Sequence, residues 1–514
     1  MSQRESAMPL SFSAAEHDPF AVPARFEIAS TPAQIEMWLS EKSDGSAGLA
    51  YNEAFSIRLD GDVDEKALTL ALQTLTDFHE ALRGHFSADG LQFIVESSVP
   101  MPIAWHDLSA LSEEQRSHEL DCLVMQDSAT PFNLETGPLV RATIIRMHAS
   151  ALVVILSAHH AVADGWSLDV LLADLGRLYS AFVGTAALPA PPQHGFSDFV
   201  RYCSTPENSA RIQSSRSFWQ RKLSVVPPAP SLAYDGKRPP SRSYGAHHAA
   251  LSMSAAELAQ LKAFARAEDL SFFSVMISGY ATLLYRLSGA TDLVVGIPIA
   301  GHPDAGMEDC VGHLVNLVPI RFDFSNKPSF RELCRTTNTA VLDARENAWV
   351  SFGEIVKDLK IARDPARVPL VPVIFTHVQK YVPGKLAFGS CAVDYELNPR
   401  VSETFEVNLN AIEAHDGLCF QAHANFDLYS PQWLTWRLQE LVTLLLAGCA
   451  SADTTVDALP LLSPAEAELV RDKLNETRAD YPRTTPLAQL VEAQVARTPQ
   501  AIAVVYGNES MTFA

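Results

Sequence analysis

The sequence predicts an α/β fold, and three stretches carry that expectation. Ala151-Leu-Val-Val-Ile-Leu156 is a continuous apolar run rich in β-branched residues, of the length of a strand buried on both faces. Just beyond it, Leu168, Leu171, Leu172, Leu175 and Leu178 recur at helical spacing, so a helix starts near Ser167. In the second half, a largely apolar helical stretch over 271–287 runs into Asp292-Leu-Val-Val-Gly-Ile-Pro-Ile-Ala-Gly301, a buried strand and turn.

The other elements follow in order. Residues 1–24 are polar and proline-containing and read as a loose lead-in. A helix begins at Thr31-Pro-Ala-Gln34, where Thr31 can cap and Gln34 holds the capping-box position. Residues 51–60 alternate as a strand, 64–76 read as an amphipathic helix, and 139–147 give a strand leading to the central one. Two proline-rich stretches, 186–193 and 227–240, read as connectors. Ser254-Ala-Ala-Glu257 is a capping box before a helical pattern, and 371–376 is a strand. A linker starts at 459–466 and continues through 475–482.

Bulk properties exclude several classes. A chain of 514 residues is too long for one core, so two or three domains are expected. Its net charge of −21 argues against nucleic acid or an anionic membrane surface as partner. The seven cysteines are scattered with no Cys-x-x-Cys pair, which signals neither zinc nor a disulfide framework. They read as buried thiols in a reducing compartment, hence a cytoplasmic protein. Residues 1–23 lack the apolar core of a signal peptide, and no run of 18 apolar residues suggests a membrane span.

The candidate site is the turn between the central strand and its helix, Ser157-Ala-His-His-Ala-Val-Ala-Asp-Gly-Trp-Ser167. A histidine there can take a proton from a nucleophile or hydrogen-bond a developing charge. Asp164 can orient such an imidazole, or tie the loop down through an arginine. Gly165 leaves room where a side chain would block access. A lone histidine at a strand end is usually a satisfied core residue. The pattern His-His-x-x-x-Asp-Gly is far less ordinary, arising by chance on the order of 10^-3 times per chain of this composition. The second pair, His247-His248, has no Asp-Gly after it and is given no role.

The stretch resembles the core motif of condensation domains of nonribosomal peptide synthetases, members of the superfamily that contains chloramphenicol acetyltransferase. Further motifs carry the resemblance. Ala33-Gln34 and Trp38 match the first, Phe78-His-Glu-Ala-Leu-Arg-Gly-His-Phe86 the second, and Phe196-Ser-Asp-Phe-Val-Arg-Tyr202 the fourth. Val311-Gly-His-Leu-Val-Asn-Leu317 matches the fifth, and Arg363-Asp-Pro-Ala-Arg-Val-Pro-Leu370 the seventh. The sixth is poorly matched around 349–354, and Phe78 stands where the family usually has arginine. Residues 487–499 and 501–513 resemble the opening of an adenylation domain, without its phosphate-binding loop.

The resemblance implies two chloramphenicol acetyltransferase-like lobes in a V around a channel. The expected organisation is a lead-in 1–24, an N-lobe 25–190, a C-lobe 191–460, a linker 461–482 and the start of an adenylation domain, 483–514. Carrier proteins would present phosphopantetheine-linked donor and acceptor, and an amide would form, with no metal or covalently bound cofactor. His160 and Gly165 would be the catalytic pair, His160 handling a proton and Gly165 keeping the channel open. His159, Asp164, Arg83, Trp166, Ser167 and Asn316 would support the motif, with Arg83 paired to Asp164. The intact histidines exclude a heterocyclising domain. The partners implied are donor and acceptor carrier domains and a downstream adenylation domain, in secondary-metabolite biosynthesis. With no carrier ahead of residue 25 in this sequence, the expectation leans to a starter domain that N-acylates the first amino acid with a fatty acyl group from acyl-CoA or a carrier, initiating a lipopeptide. Condensation at a junction between synthetase polypeptides, with a polyketide or peptidyl donor, is the alternative. A free acyl-CoA transferase and a non-catalytic recruitment platform of the same fold are the others.

Overall fold

The computed structural model describes residues 25–228, 232–362, 364–379, 386–414 and 417–514. The lead-in 1–24, Arg363 of the seventh motif, and residues 229–231 of the second proline-rich stretch lie outside the described residues. The chain parts into two compact units, one ending at Leu461 and the other spanning Leu462–Ala514.

In the first unit the strands run β1 (Phe26–Ala29), β2 (Asn52–Asp60), β3 (Gly84–Phe86), β4 (Gln92–Val95), β5 (Ile103–Asp107), β6 (Val140–His148) and β7 (Ala151–His159). They continue as β8 (Ala246–Ser254), β9 (Asp292–Ala300), β10 (Val315–Asp323), β11 (Val373–Gln379), β12 (Ala392–Leu397), β13 (Val407–Ala414) and β14 (Gly417–Asn425). Two large sheets result. The N-lobe sheet is ordered β12-β2-β7-β6-β5, and the C-lobe sheet β10-β9-β11-β13-β14-β8. A small sheet, β1-β4-β3, flanks the first.

The apolar run of β7 has a simple cause. All nine residues of the strand are buried. Leu152, Val154 and Leu156 pack into one core with the helices Glu65–Phe78 and Gly165–Phe182. Val153 and Ile155 face the other way, onto Leu123 of the helix Glu113–Ser128. A strand with a core on each side has no position left for polar alternation. In the C-lobe, Phe375, Leu409 and Phe420 form one sheet face against the helices Phe272–Ser288 and Pro431–Ala450. The predicted capping boxes at Thr31 with Gln34 and at Ser254 with Glu257 are formed.

Two expectations are corrected. The lobes do not divide at 190/191, because β12 leaves the second half of the chain to pair antiparallel with β2, Ala392 opposite Asp60 through Leu397 opposite Phe55. Phe196, Cys310, Val311, Leu314 and Phe388 likewise pack into the N-lobe core. Local alternation shows that a segment is a strand; which sheet edge receives it is fixed by partners hundreds of residues away. The cysteines are all free, but only Cys310 and Cys334 are buried, and Cys122 is exposed on the outer side of its helix.

The second unit holds helices Pro464–Glu468 and Leu487–Arg497 and a hairpin of β15 (Ile502–Tyr506) and β16 (Glu509–Thr512). Every residue of the hairpin strands is exposed. Among the described residues no single helix is long and apolar enough to cross a membrane. Nor is any group of three or more His, Cys, Asp or Glu side chains placed to hold a metal ion.

Candidate active site

The turn after β7 places the two motif histidines in different environments. His159 closes β7 and is 1% exposed. Its Nδ1 accepts the Ala161 N–H at 3.1 Å, so the ring proton sits on Nε2. That atom lies 2.6 Å from Glu41 Oε1, angled away from a full hydrogen bond. Tyr51 and Phe132 pack against the ring.

His160 lines a cavity of about 1350 Å³ between the two sheets. Its Nδ1 is 3.0 Å from the Ala163 carbonyl, which can only accept. The proton of the neutral ring therefore sits on Nδ1, and Nε2 presents a lone pair. Glu53 Oε1 lies 3.8 Å from that Nε2 and is itself paired with Arg400. The His160 backbone is held as well: its N–H donates to Tyr51 O at 2.8 Å, and its carbonyl accepts from His313 Nδ1 at 3.0 Å. The His313 ring meets the His160 ring edge to face, centroids 4.8 Å apart.

Asp164 is 1% exposed and caps the helix, which begins at Gly165, two residues before the expected start. Its Oδ1 accepts the Ser167 N–H at 2.9 Å and lies 2.9 Å from Ser167 Oγ. Its Oδ2 accepts the N–H groups of Leu314 and Val315, both at 2.9 Å. Burial pushes its pKa up, but His302, His313 and those N–H groups outweigh it and hold the carboxyl below the ordinary aspartate value. His302 Nε2 stands 3.7 Å from Oδ1, stacked on Trp166 with centroids 5.5 Å apart.

The expected Arg83–Asp164 pair is not formed. Arg83 donates from Nε to Glu96 O at 3.0 Å and from Nη1 to Thr76 O at 3.2 Å, with a shorter bond to Asp77 O. It thus caps the carbonyls at the C-terminal end of the helix Glu65–Phe78, where a cation is favoured. Asp164 has no need of it, because backbone donors already fill both of its oxygens.

The other predicted residues fall as follows. Gly165 and Trp166 line the cavity, and a Cβ built on Gly165 would meet nothing within 4 Å. Trp166 Nε1 donates to Glu308 O at 3.0 Å. Ser167 Oγ also lies 2.8 Å from Gly312 O and accepts the Gly312 N–H at 3.1 Å. Asn316 Nδ2 donates to Ala348 O at 2.9 Å and to Val350 O, joining β10 to the segment before the helix Phe352–Asp358.

Sequence reasoning missed His313, Glu53 and Arg400. His313 sat inside a quoted motif, where a histidine entering a strand was the available signal. Glu53 reads locally as one polar position of an alternating strand, and Arg400 gives no signal. Burial drives the His313 pKa down to about 3, with the neighbouring His160 adding to the effect, so its ring is neutral near pH 7. Asp169, one turn into the helix and lining the cavity, is pushed up to about 6 by burial.

Two sheets with helical outer layers, and a histidine on a strand-to-helix turn facing the cavity between them, define an acyltransferase-like architecture of the chloramphenicol acetyltransferase kind. A family profile described as the condensation domain matches residues 25–470. The chain belongs to the condensation-domain family of the nonribosomal peptide synthetases. It is 29% identical over 501 residues to a linear gramicidin synthase polypeptide of Brevibacillus parabrevis, covering 96% of this chain and 6% of that protein. A four-domain nonribosomal peptide synthetase bound to AMP and glycine superposes with a TM-score of 0.80 at 18% identity, over 96% of this chain and 38% of that one. The starter condensation domain of rhizomide synthetase, solved as a mutant with C8-CoA and Leu-SNAC, gives 0.75 at 18% identity, over 85% and 98%. These two likenesses concern the fold. The chain spans only 6% to 12% of the length of the curated relatives it matches.

Proposed function

We propose that the chain forms an amide between the acyl group of a donor thioester and the amine of an aminoacyl thioester presented by a carrier protein. The observation that carries this reading is the fixed tautomer of His160, whose Nδ1 faces the Ala163 carbonyl while Nε2 is left as a base in the cavity. The acceptor nitrogen attacks the thioester carbon with its lone pair, and the carbonyl π pair moves to oxygen. His160 Nε2 takes one proton from the nitrogen. Collapse of the tetrahedral adduct breaks the C–S bond, and the imidazolium returns its proton to the departing thiolate. Glu53, paired with Arg400, stands where it stabilises the transient imidazolium. At the helix start, Asp164 already occupies the Ser167 N–H, which leaves the N–H groups of Gly165 and Trp166 to face a developing oxyanion. Alignment of two tethered reactants in one cavity supplies much of the acceleration.

The phosphopantetheine arms belong to the carriers, and an acyl-CoA presents the same thioester on the same arm. The likeness to a starter domain solved with C8-CoA supports a CoA-borne fatty donor, whereas the hydrogen-bonding groups of the C-lobe wall support a polyketide or peptidyl donor on a carrier. A downstream adenylation domain would load the acceptor carrier. The test incubates the full chain with an aminoacyl carrier and a panel of donor thioesters and follows the carrier mass. Acylated aminoacyl carrier is the expected product. Transfer to free amines or alcohols alone would mean a free acyl-CoA transferase. Carrier binding without any product would mean a recruitment platform.

A further inference from the structure

The C-lobe wall of the cavity is built from alternate residues of one sheet face, and its central part is polar. Strand register sets Thr376 opposite Asn410, and Asn410 opposite Gln421. In the adjacent row Ile374 stands opposite Asn408, and Asn408 opposite His423. All six line the cavity. The intervening residues, Phe375, Leu409 and Ala422, point into the C-lobe core.

The polar side chains of this face keep unused hydrogen-bonding groups. Asn408 is 3% exposed and His423 4%. Asn408 Nδ2 donates to Glu403 Oε2 at 2.7 Å, but Asn408 Oδ1 and His423 Nδ1 have no hydrogen-bond partner among the described residues. The side chains of Asn410, Gln421 and Thr376 make no hydrogen bond among the described residues either. The block adjoins the reacting end. Glu403 Oε2 lies 4.0 Å from Arg400 Nη1, Arg400 pairs with Glu53, and Glu53 reaches within 3.8 Å of His160 Nε2.

We propose that this wall is a subsite for a substrate chain bearing amide or hydroxyl groups, a peptidyl or hydroxylated acyl chain, and not a saturated fatty one. The inference rests on the reading of the cavity as an amide-forming channel and names the substrate class of that channel. Asn and Gln each offer a donor and an acceptor, the complement of a peptide unit. With neighbouring strands about 4.8 Å apart, Thr376, Asn410 and Gln421 span roughly 10 Å, the length of about three extended residues. An alkyl chain laid along the same row would strip water from these groups and return no hydrogen bond. A site built to hydrogen-bond its substrate rejects analogues that cannot reciprocate.

The chemistry can come from the donor chain or from the side chain of the acceptor, and the experiment has an arm for each. Single-turnover amide formation by the full chain is measured with octanoyl, 3-hydroxyoctanoyl and dipeptidyl donors on a leucyl carrier. It is then measured with one fixed donor on leucyl and glutaminyl carriers. The wild type is expected to favour the polar chain at least about tenfold on one arm. Asn410→Leu, which keeps the branched outline of asparagine, and Gln421→Leu, which is one bond shorter than glutamine, are expected to collapse that ratio while leaving the unfolding temperature unchanged; Asn410→Ala repeats the test should either leucine fail to fold. Wild-type preference for octanoyl with leucyl, or ratios that no variant moves on either arm, would overturn the subsite and leave the wall a wetted surface. Absence of amide from every pairing would overturn the amide-forming reading itself, and the subsite with it.

Discussion

Asp164 accepts the backbone N–H groups of Leu314 and Val315 through a single carboxylate oxygen, each at 2.9 Å. The contact fastens the turn after β7, in the N-lobe sheet, to the entry of β10, in the C-lobe sheet, through Val315 and the residue before it. Asp164→Ala leaves the N–H groups of Ser167, Leu314 and Val315, two of them buried, without their acceptor and should destabilise the fold by about 3 kcal/mol, read as a lowered unfolding temperature, with activity falling alongside. Arg83→Ala should destabilise it independently, through the lost helix cap. The two side chains share no partner, so the double variant should be additive to within about 0.5 kcal/mol. A coupling energy of about 2 kcal/mol would restore the direct ion pair.

Gly165 makes a different kind of prediction. Since a Cβ there meets no protein atom within 4 Å, Gly165→Ala should leave the unfolding temperature where it is. Gly165→Leu should also fold, but its side chain would stand in the cavity and lower kcat/KM by about tenfold or more. A large loss of stability in the alanine variant would assign the glycine to backbone packing instead.

Stability should fall on mild acidification. Burial depresses the pKa of His302, and those of His313 and His423 to about 3, below the unfolded value near 6.5. A depressed folded pKa contributes stability that is present above the unfolded value and is lost as pH falls toward the folded one. Each such histidine therefore removes up to about 1.4 kcal/mol per pH unit below roughly pH 6.5. Unfolding temperature should drop between pH 7 and 5, and His423→Asn should show a shallower drop. A wild-type profile that rises over this range would contradict the neutral buried imidazoles.

Asp169 carries the opposite sign. Its folded pKa of about 6 lies above the unfolded 3.8, so its contribution is present at low pH and is lost as pH rises through 6. Asp169→Asn should raise the unfolding temperature at pH 8 and change it little at pH 4. An equal effect at both values would mean that the carboxyl is solvated and ordinary.

Much of the fold was legible because its signals are local. The run of β7, the leucines of the helix after it and the two capping boxes each depend on residues within a few positions. His160 was legible for the same reason, since four motif residues mark one turn. The rest depends on distant chain. The assignment of β12 to the N-lobe sheet rests on pairing with β2, more than 300 residues earlier. The Arg83–Asp164 expectation failed because opposite charges are visible in a sequence, whereas the N–H groups of Leu314 and Val315 that satisfy Asp164 are not. Glu53 and Arg400 each look like solvated surface charges, and only folding brings them together beside His160.

In the proposed reaction, amide formation runs through His160 Nε2. The direct measurement is the single-turnover rate of amide formation on carrier-bound substrates, wild type against His160→Ala, with unfolding temperatures recorded for both. The expected result is an unchanged unfolding temperature and a rate lower by about 100-fold or more. A stable His160→Ala protein whose chemical step stays within about threefold of the wild type would contradict the assignment, and leave the cavity to act by alignment alone.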